Sequence, residues 1–163
     1  METRRLGRTG RDVSVIGFGA WAIGGSWGSV DDADSLRALH AAADAGVTLI
    51  DTADVYGDGR SEKLIARFVS EAGLASAGLT VATKMGRREP LDPAIYTLDN
   101  FRRWTDRSRA NLGVDTLDLV QLHCPPTPVY STDAVFDALD ELVEAKRIAA
   151  YGVSVEAVDE AMT

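Results

Sequence analysis

Between Asp31 and Ser154 a helix-spaced apolar stripe alternates four times with a short strand-like run, and that alternation leaves few folds open to the chain. Asp31 to Ala45 reads as a helix, with Ala33, Leu36, Leu39 and Ala43 on one stripe and Gly46 as its stop. Val47 to Asp51 reads as a strand. Ser61 to Ala72 is the next helix, burying Leu64, Ile65 and Phe68 and ending at Gly73; Leu79 to Lys84 is the strand after it. Asp99 to Leu112 is helical through Phe101, Trp104, Ser108 and Leu112 and closes at Gly113. Leu117 to His123 is a strand, stopped by Pro125 and Pro126. Thr132 to Lys146 is a helix through Val135, Leu139, Leu142 and Val143; Ala150 to Ser154 is a strand, and a last helix begins at Val155. Three of these helices end on a glycine suited to a left-handed cap. Ahead of them, RRLGRTGRDVSVIGFG reads as a β-hairpin turning at Arg8-Thr9-Gly10 and running into a further strand.

Repeated β-α connections predict a mostly parallel sheet flanked by helices. Two architectures satisfy that pattern: an open doubly wound sheet, and the first part of a (β/α)8 barrel. A doubly wound nucleotide-binding sheet carries its GxGxxG fingerprint between the first strand and the first helix. Gly17, Gly19, Gly24, Gly25 and Gly28 fall in that segment, but not in that register. With 163 residues and no linker or low-complexity stretch, residues 1–163 read as one domain.

The net charge of -8 argues against nucleic acid or an anionic membrane surface as partner. Cys124 is the single cysteine, so no intrachain disulfide can form, which fits a reducing cytoplasm. No apolar run reaches the length of a membrane span, and METRRLGRTG is not followed by the apolar segment of a signal peptide. The expectation is a soluble cytoplasmic protein.

Asp51, Lys84 and His123 close consecutive predicted strands, and Tyr56 lies on the loop just past Asp51. Strand ends on one edge of a parallel sheet meet in one mouth, which is where barrel enzymes place their catalytic groups. Residues two apart on a strand share a face, so Gln121 points with His123 and Ala82 with Lys84, leaving room beside them. A phenol with its ordinary pKa near ~10 needs help to exchange a proton at neutral pH. A lysine cation favours phenolate, a carboxylate can hold that lysine, and a histidine can hydrogen-bond a carbonyl oxygen. The set suits proton delivery to an oxygen, as in carbonyl reduction, isomerisation or elimination. Singly, each residue has a structural role: a turn-forming Asp, a packing Tyr, a Lys reaching solvent, a satisfied His. Jointly they favour function, because four accidents would have to point into one mouth. Cys124 reads as a packing residue, and Arg102, Arg103, Arg107 and Arg109 as the solvated face of an outer helix.

The stretch IDTADVYGDGRSEKLIAR, with ATKMG, LVQLHCP and YGVS, resembles the aldo-keto reductases, and the opening LGRTGRDVSVIGFGAWAIGG fits the same family. These motifs stand in family order along the whole chain. The resemblance implies a (β/α)8 TIM barrel, here about five βα units after the hairpin, with NADPH as hydride donor and an aldehyde or ketone as substrate. It matches Asp51, Tyr56, Lys84 and His123 to the family's catalytic tetrad, with Tyr56 as general acid. It matches Gly19, Ala20 and Trp21 to the segment lining the nicotinamide and substrate mouth, and Ser154 to a serine contacting the nicotinamide amide; Asp51 lies beside both. The family usually has Asn after that serine, whereas Val155 offers neither donor nor acceptor there.

A full barrel takes ~250 residues. The expectation is therefore a truncated barrel: a fragment of an ordinary reductase, a homodimer that closes on a second copy, or a chain completed by a different one. The family's pyrophosphate loop and 2′-phosphate contacts lie on its last strands, beyond the segments matched here. An NADPH-dependent reductase comes first among the functions; a cofactor-free acid–base enzyme reusing the tetrad and a non-catalytic interaction subunit stand behind it. Trp21, Trp27 and the Pro125 to Tyr130 loop suggest an apolar entrance.

Overall fold

The computed structural model describes residues 1–25, 28–73 and 78–163. The alternation read from the sequence is present. Strands β1 (Thr3–Arg5) and β2 (Asp12–Ser14) pair antiparallel as the hairpin, with Gly10 at positive φ in its turn. Then follow β3 (Phe18–Gly19), α1 (Asp32–Asp44), β4 (Leu49–Asp51), α2 (Arg60–Glu71), β5 (Thr80–Met85), α3 (Leu98–Leu112), β6 (Leu119–His123), α4 (Asp133–Glu144), β7 (Tyr151–Ser154) and α5 (Val158–Met162).

The second sheet has five strands in the order β3-β4-β5-β6-β7, all pairs parallel. Spatial order equals sequence order, so every crossover steps the same way. A doubly wound sheet reverses direction at a switch point, and this one does not. The winding is that of a barrel wall. The register aligns Gly19 with Asp51, Asp51 with Ala82, Lys84 with Gln121, and His123 with Ser154. Paired residues of a parallel sheet face the same way, so these side chains share one face. The other face carries Ile50, Met85, Val120 and Leu122, which pack with Leu39, Ile65, Phe68, Phe101, Leu139 and Leu142 of the helices into one core. Among the described residues, no helix is long and apolar enough to cross a membrane.

Some expectations change in detail. The strand placed at Val47 starts at Leu49, because the Val47 N–H is taken by the Ala42 carbonyl and that of Gly46 by Ala43, the two bonds that close α1. Ala33 is exposed on the first turn of α1, and Ser35 is buried instead, its hydroxyl donating to the Asp31 carbonyl at 3.0 Å. The last helix begins at Val158, not Val155; the Glu160 carboxylate accepts from the backbone N–H groups of Glu156 and Ala157 just before it.

Candidate active site

Lys84 is the centre of the sheet's polar face. It is buried, and its Nζ donates to Asp51 Oδ2 at 2.7 Å and to the Thr52 carbonyl at 2.9 Å. The same Nζ lies 3.5 Å from Tyr56 Oη and 5.2 Å from the centre of the Tyr56 ring. His123 meets that ring edge-on, with centroids 5.9 Å apart. The four tetrad residues predicted from strand ends thus stand together on one side of the sheet. Burial alone would be costly for the lysine, and the carboxylate with the carbonyl oxygen offsets it.

Tyr56 reaches the others because the chain continues the sheet's bonding after β4. The Thr52 N–H donates to the Ala82 carbonyl and that of Asp54 to the Lys84 carbonyl, then Tyr56 bonds back to Ala53 in a tight turn. Gly57, Asp58 and Gly59 follow at positive φ and swing the chain into α2. Asp58 is held at this tip by Arg88 and by Arg107, the latter at 2.9 Å, and the two guanidinium groups hold its carboxyl below the usual range. Arg107 therefore does more than cover the outer face of α3. Its neighbours Arg102, Arg103 and Arg109 pair with Glu141, Glu89 and Asp106 on the surface.

His123 is buried, and its Nδ1 finds no hydrogen-bond partner among the described residues. Burial, then the nearby Lys84 and Arg87 cations, push its pKa down to about 4. It is a neutral imidazole across the physiological range, suited to bonding an uncharged oxygen without adding a charge to the pocket.

The residues matched to the nicotinamide segment fare unequally. Gly19 pairs with Asp51, and the direction a side chain would take from it is open space. Trp21 is half-exposed and stacks beside Tyr56, with ring centres 6.3 Å apart and planes at 28°. Ala20 departs from the expectation: it has no exposed surface, because its N–H bonds the Asp51 carbonyl and its own carbonyl takes the Ser61 hydroxyl at 3.1 Å. Its methyl packs into the core and cannot line a mouth. Ser154 sits one strand over from His123, its Oγ 3.5 Å from Cys124 Sγ. Cys124 is half-buried at positive φ beside it. The entrance loop also differs in part. Val129 and Tyr130 are buried, the Tyr130 hydroxyl donating to the Ser154 carbonyl at 3.4 Å; Trp27 lies outside the described residues.

Two buried acids escaped the sequence reading. Glu62 accepts from Thr83 Oγ1 at 2.7 Å and from Asn111 Nδ2 at 2.8 Å, tying α2 to β5 and α3. Asp54 is buried between Asp51 and Tyr56, and neither of its carboxylate oxygens has a hydrogen-bond partner among the described residues. Burial, then repulsion from Glu62, push its pKa up to about 7, against the pull of Arg88 and Arg107. In the unfolded chain it ionises near ~3.9. The folded state therefore holds this proton over the interval between, and stability falls as pH rises from about 4 to about 7, by up to roughly 4 kcal/mol for this group. Asp54→Asn removes the titration. Urea midpoints measured at pH 4.5 and 8 should show the variant gaining ground on the parent at the higher pH; parallel pH dependences would contradict the buried carboxyl.

The family model described as "Aldo/keto reductase family" matches residues 15–163, which is most of the chain. The chain belongs to the aldo/keto reductase family. Aldo-keto reductase YhdN of Bacillus subtilis is 35% identical over 157 residues, covering 94% of this chain and 47% of that protein. The 6-dehydroglucose reductase of Novosphingobium aromaticivorans is 34% identical, covering 93% and 50%. An aldo-keto reductase from Klebsiella pneumoniae, solved in complex with NADPH, superposes with a TM-score of 0.79 at 25% identity, covering 99% of this chain and 52% of the other. The chain thus spans about half the length of the relatives it matches, and the sheet is the corresponding part of an aldo/keto reductase TIM barrel.

Proposed function

We propose that this chain carries the catalytic tetrad of an NADPH-dependent reductase of aldehydes or ketones, with Tyr56 as general acid. The observation that carries the reading is the placement of one lysine: Lys84 Nζ is fixed by Asp51 and the Thr52 carbonyl and faces Tyr56 Oη. As the phenol releases its proton to the substrate oxygen, negative charge develops beside an ammonium that is already in place. Neutral His123 orients the carbonyl oxygen towards Tyr56, and Asp51 keeps Lys84 aimed. NADPH, when bound, supplies the hydride to the carbonyl carbon. The open space at Gly19, the Trp21 ring and the Ser154 hydroxyl beside the tetrad fit a nicotinamide, and those residues with Asp51 are its proposed contacts. Val155 adds no polar contact there.

The remaining cofactor contacts belong, on this reading, to strands outside residues 1–163 that also pair with β3 and β7. Those strands come from a longer parent chain, from a second copy in a homodimer, or from another chain. The reductases among the relatives support redox chemistry over a cofactor-free acid–base enzyme or a non-catalytic subunit. The test is an NADPH titration followed by tryptophan fluorescence, then aldehyde-dependent loss of NADPH absorbance. Saturable quenching and turnover are expected. A folded sample that neither binds NADPH nor consumes it would overturn the reading.

A further inference from the structure

Residues 20–25, which carry Trp21, are bonded by the first residues of α2 and lie against the Tyr56 turn. Arg60, at the start of α2, donates through Nη1 to the Ile23 carbonyl at 3.0 Å and through Nη2 to the Val30 carbonyl at 2.6 Å. Its Nε donates to Asp32 Oδ1 at 3.1 Å. One guanidinium thus bonds two points between β3 and α1, Ile23 and Val30, and the first residue of α1. The next residue, Ser61, bonds the Ala20 carbonyl and shares a 2.8 Å hydrogen bond with Thr52 Oγ1. A side-chain carbon on Gly24 would lie 2.9 Å from the Tyr56 carbonyl carbon, so the two backbones are already in contact.

We infer that Arg60 is a positioning residue of the substrate mouth: it staples the Trp21 loop so that the indole stands beside Tyr56, forming an apolar wall that favours carbonyl substrates with a flat apolar group. The inference rests on the reductase reading for its effect on catalysis, but the clamp itself is independent of it. The fork geometry is what the role needs. Two carbonyls and a carboxylate are bonded from one planar group, which a lysine cannot reproduce, although it keeps the charge opposite Asp32. Arg60 touches none of the tetrad side chains through these bonds, so it acts on the site only by way of the loop.

The test compares Arg60→Ala and Arg60→Lys with the parent by hydrogen–deuterium exchange and by steady-state kinetics on an aromatic aldehyde with NADPH. Loss of charge-assisted bonds to two carbonyls should speed exchange at residues 20–25 by about tenfold in Arg60→Ala. Exchange in α4 should stay at the parental rate, which separates a local release from general unfolding. KM for the aldehyde should rise about tenfold while kcat changes by less than about threefold, because uniform binding is lost and the proton donor is not. Arg60→Lys should recover part of both effects. In a Trp21→Ala background the KM penalty of Arg60→Ala should vanish, since the effect passes through that ring. Parental exchange rates at residues 20–25 would overturn the clamp. A KM penalty that persists without Trp21, or faster exchange with no change in KM, would overturn its role in the mouth. A parent protein without turnover would sink the reductase reading instead, and the exchange comparison would still decide the clamp.

Discussion

Tyr56→Phe is expected to lower the turnover of an aldehyde by about 10³-fold, within the range seen when a positioned general acid is lost. The ring stays, so its edge contact with His123, its stacking with Trp21 and its place beside Lys84 all stay. What goes is the hydroxyl that Lys84 Nζ faces at 3.5 Å. NADPH affinity should therefore be unchanged, and the loss should fall on kcat and kcat/KM together, the signature of an interaction used in the transition state. Stopped-flow traces of NADPH absorbance with saturating aldehyde measure it directly. A second readout constrains the partner. With His123 held neutral down to about pH 4 by burial beside Lys84 and Arg87, no histidine titration should appear in kcat/KM between pH 5 and 8. A Tyr56→Phe protein within tenfold of the parent would remove Tyr56 from the chemistry.

The parts of this fold that were legible in the sequence are those where one local rule acts alone. Leu36 and Leu39, or Leu64, Ile65 and Phe68, recur at helical spacing and are buried as that spacing requires. Gly46, Gly73 and Gly113 stop their helices at positive φ. The tetrad was legible because strand ends of a parallel sheet converge, whatever the details of the loops. Misreadings came where two rules compete. The helix expected to run to Lys146 ends at Glu144, where Lys146, at φ 56, closes α4 with the same pair of backbone bonds that Gly46 uses for α1, with no glycine to mark the stop. Val129 and Tyr130 sit in a proline-rich loop, which reads as part of an apolar entrance, yet they are buried.

The second layer of the site was harder still. Glu62 stands three residues before Ile65 on the buried stripe of α2, and an acid on such a stripe is a signal, but only the fold supplies Thr83 and Asn111 as its partners. Arg60 carries no periodic signal at all. Its role depends on carbonyls at Ile23 and Val30, far away in sequence, and backbone acceptors leave no trace in the residue types that bear them.

Glycines at touching backbones leave a clearer trace, and the second large effect belongs to one of them. Gly57→Ala should cost about 3 kcal/mol or more of stability. Two penalties add there. The backbone is at φ 60, where a Cβ costs roughly 1–2 kcal/mol. The added carbon would also lie 2.2 Å from the Gly24 carbonyl oxygen, and the obstacle is main chain, which cannot rotate away. Gly24 cannot yield easily, since its own approach to Tyr56 leaves no space. The turn carrying Tyr56 must therefore part from the loop carrying Trp21, and a displacement near ~1 Å at a proton donor is enough to cost about 10²-fold in rate. Gly113→Ala is the matched control. It has a similar φ of 68 but nothing within 4 Å of the added carbon, so it should lose only the left-handed penalty and keep full activity. Urea unfolding of the two variants side by side isolates the contact from the conformation. If Gly57→Ala proves as mild as Gly113→Ala, the two loops do not touch backbone to backbone, and the rigid floor under Tyr56 is not there.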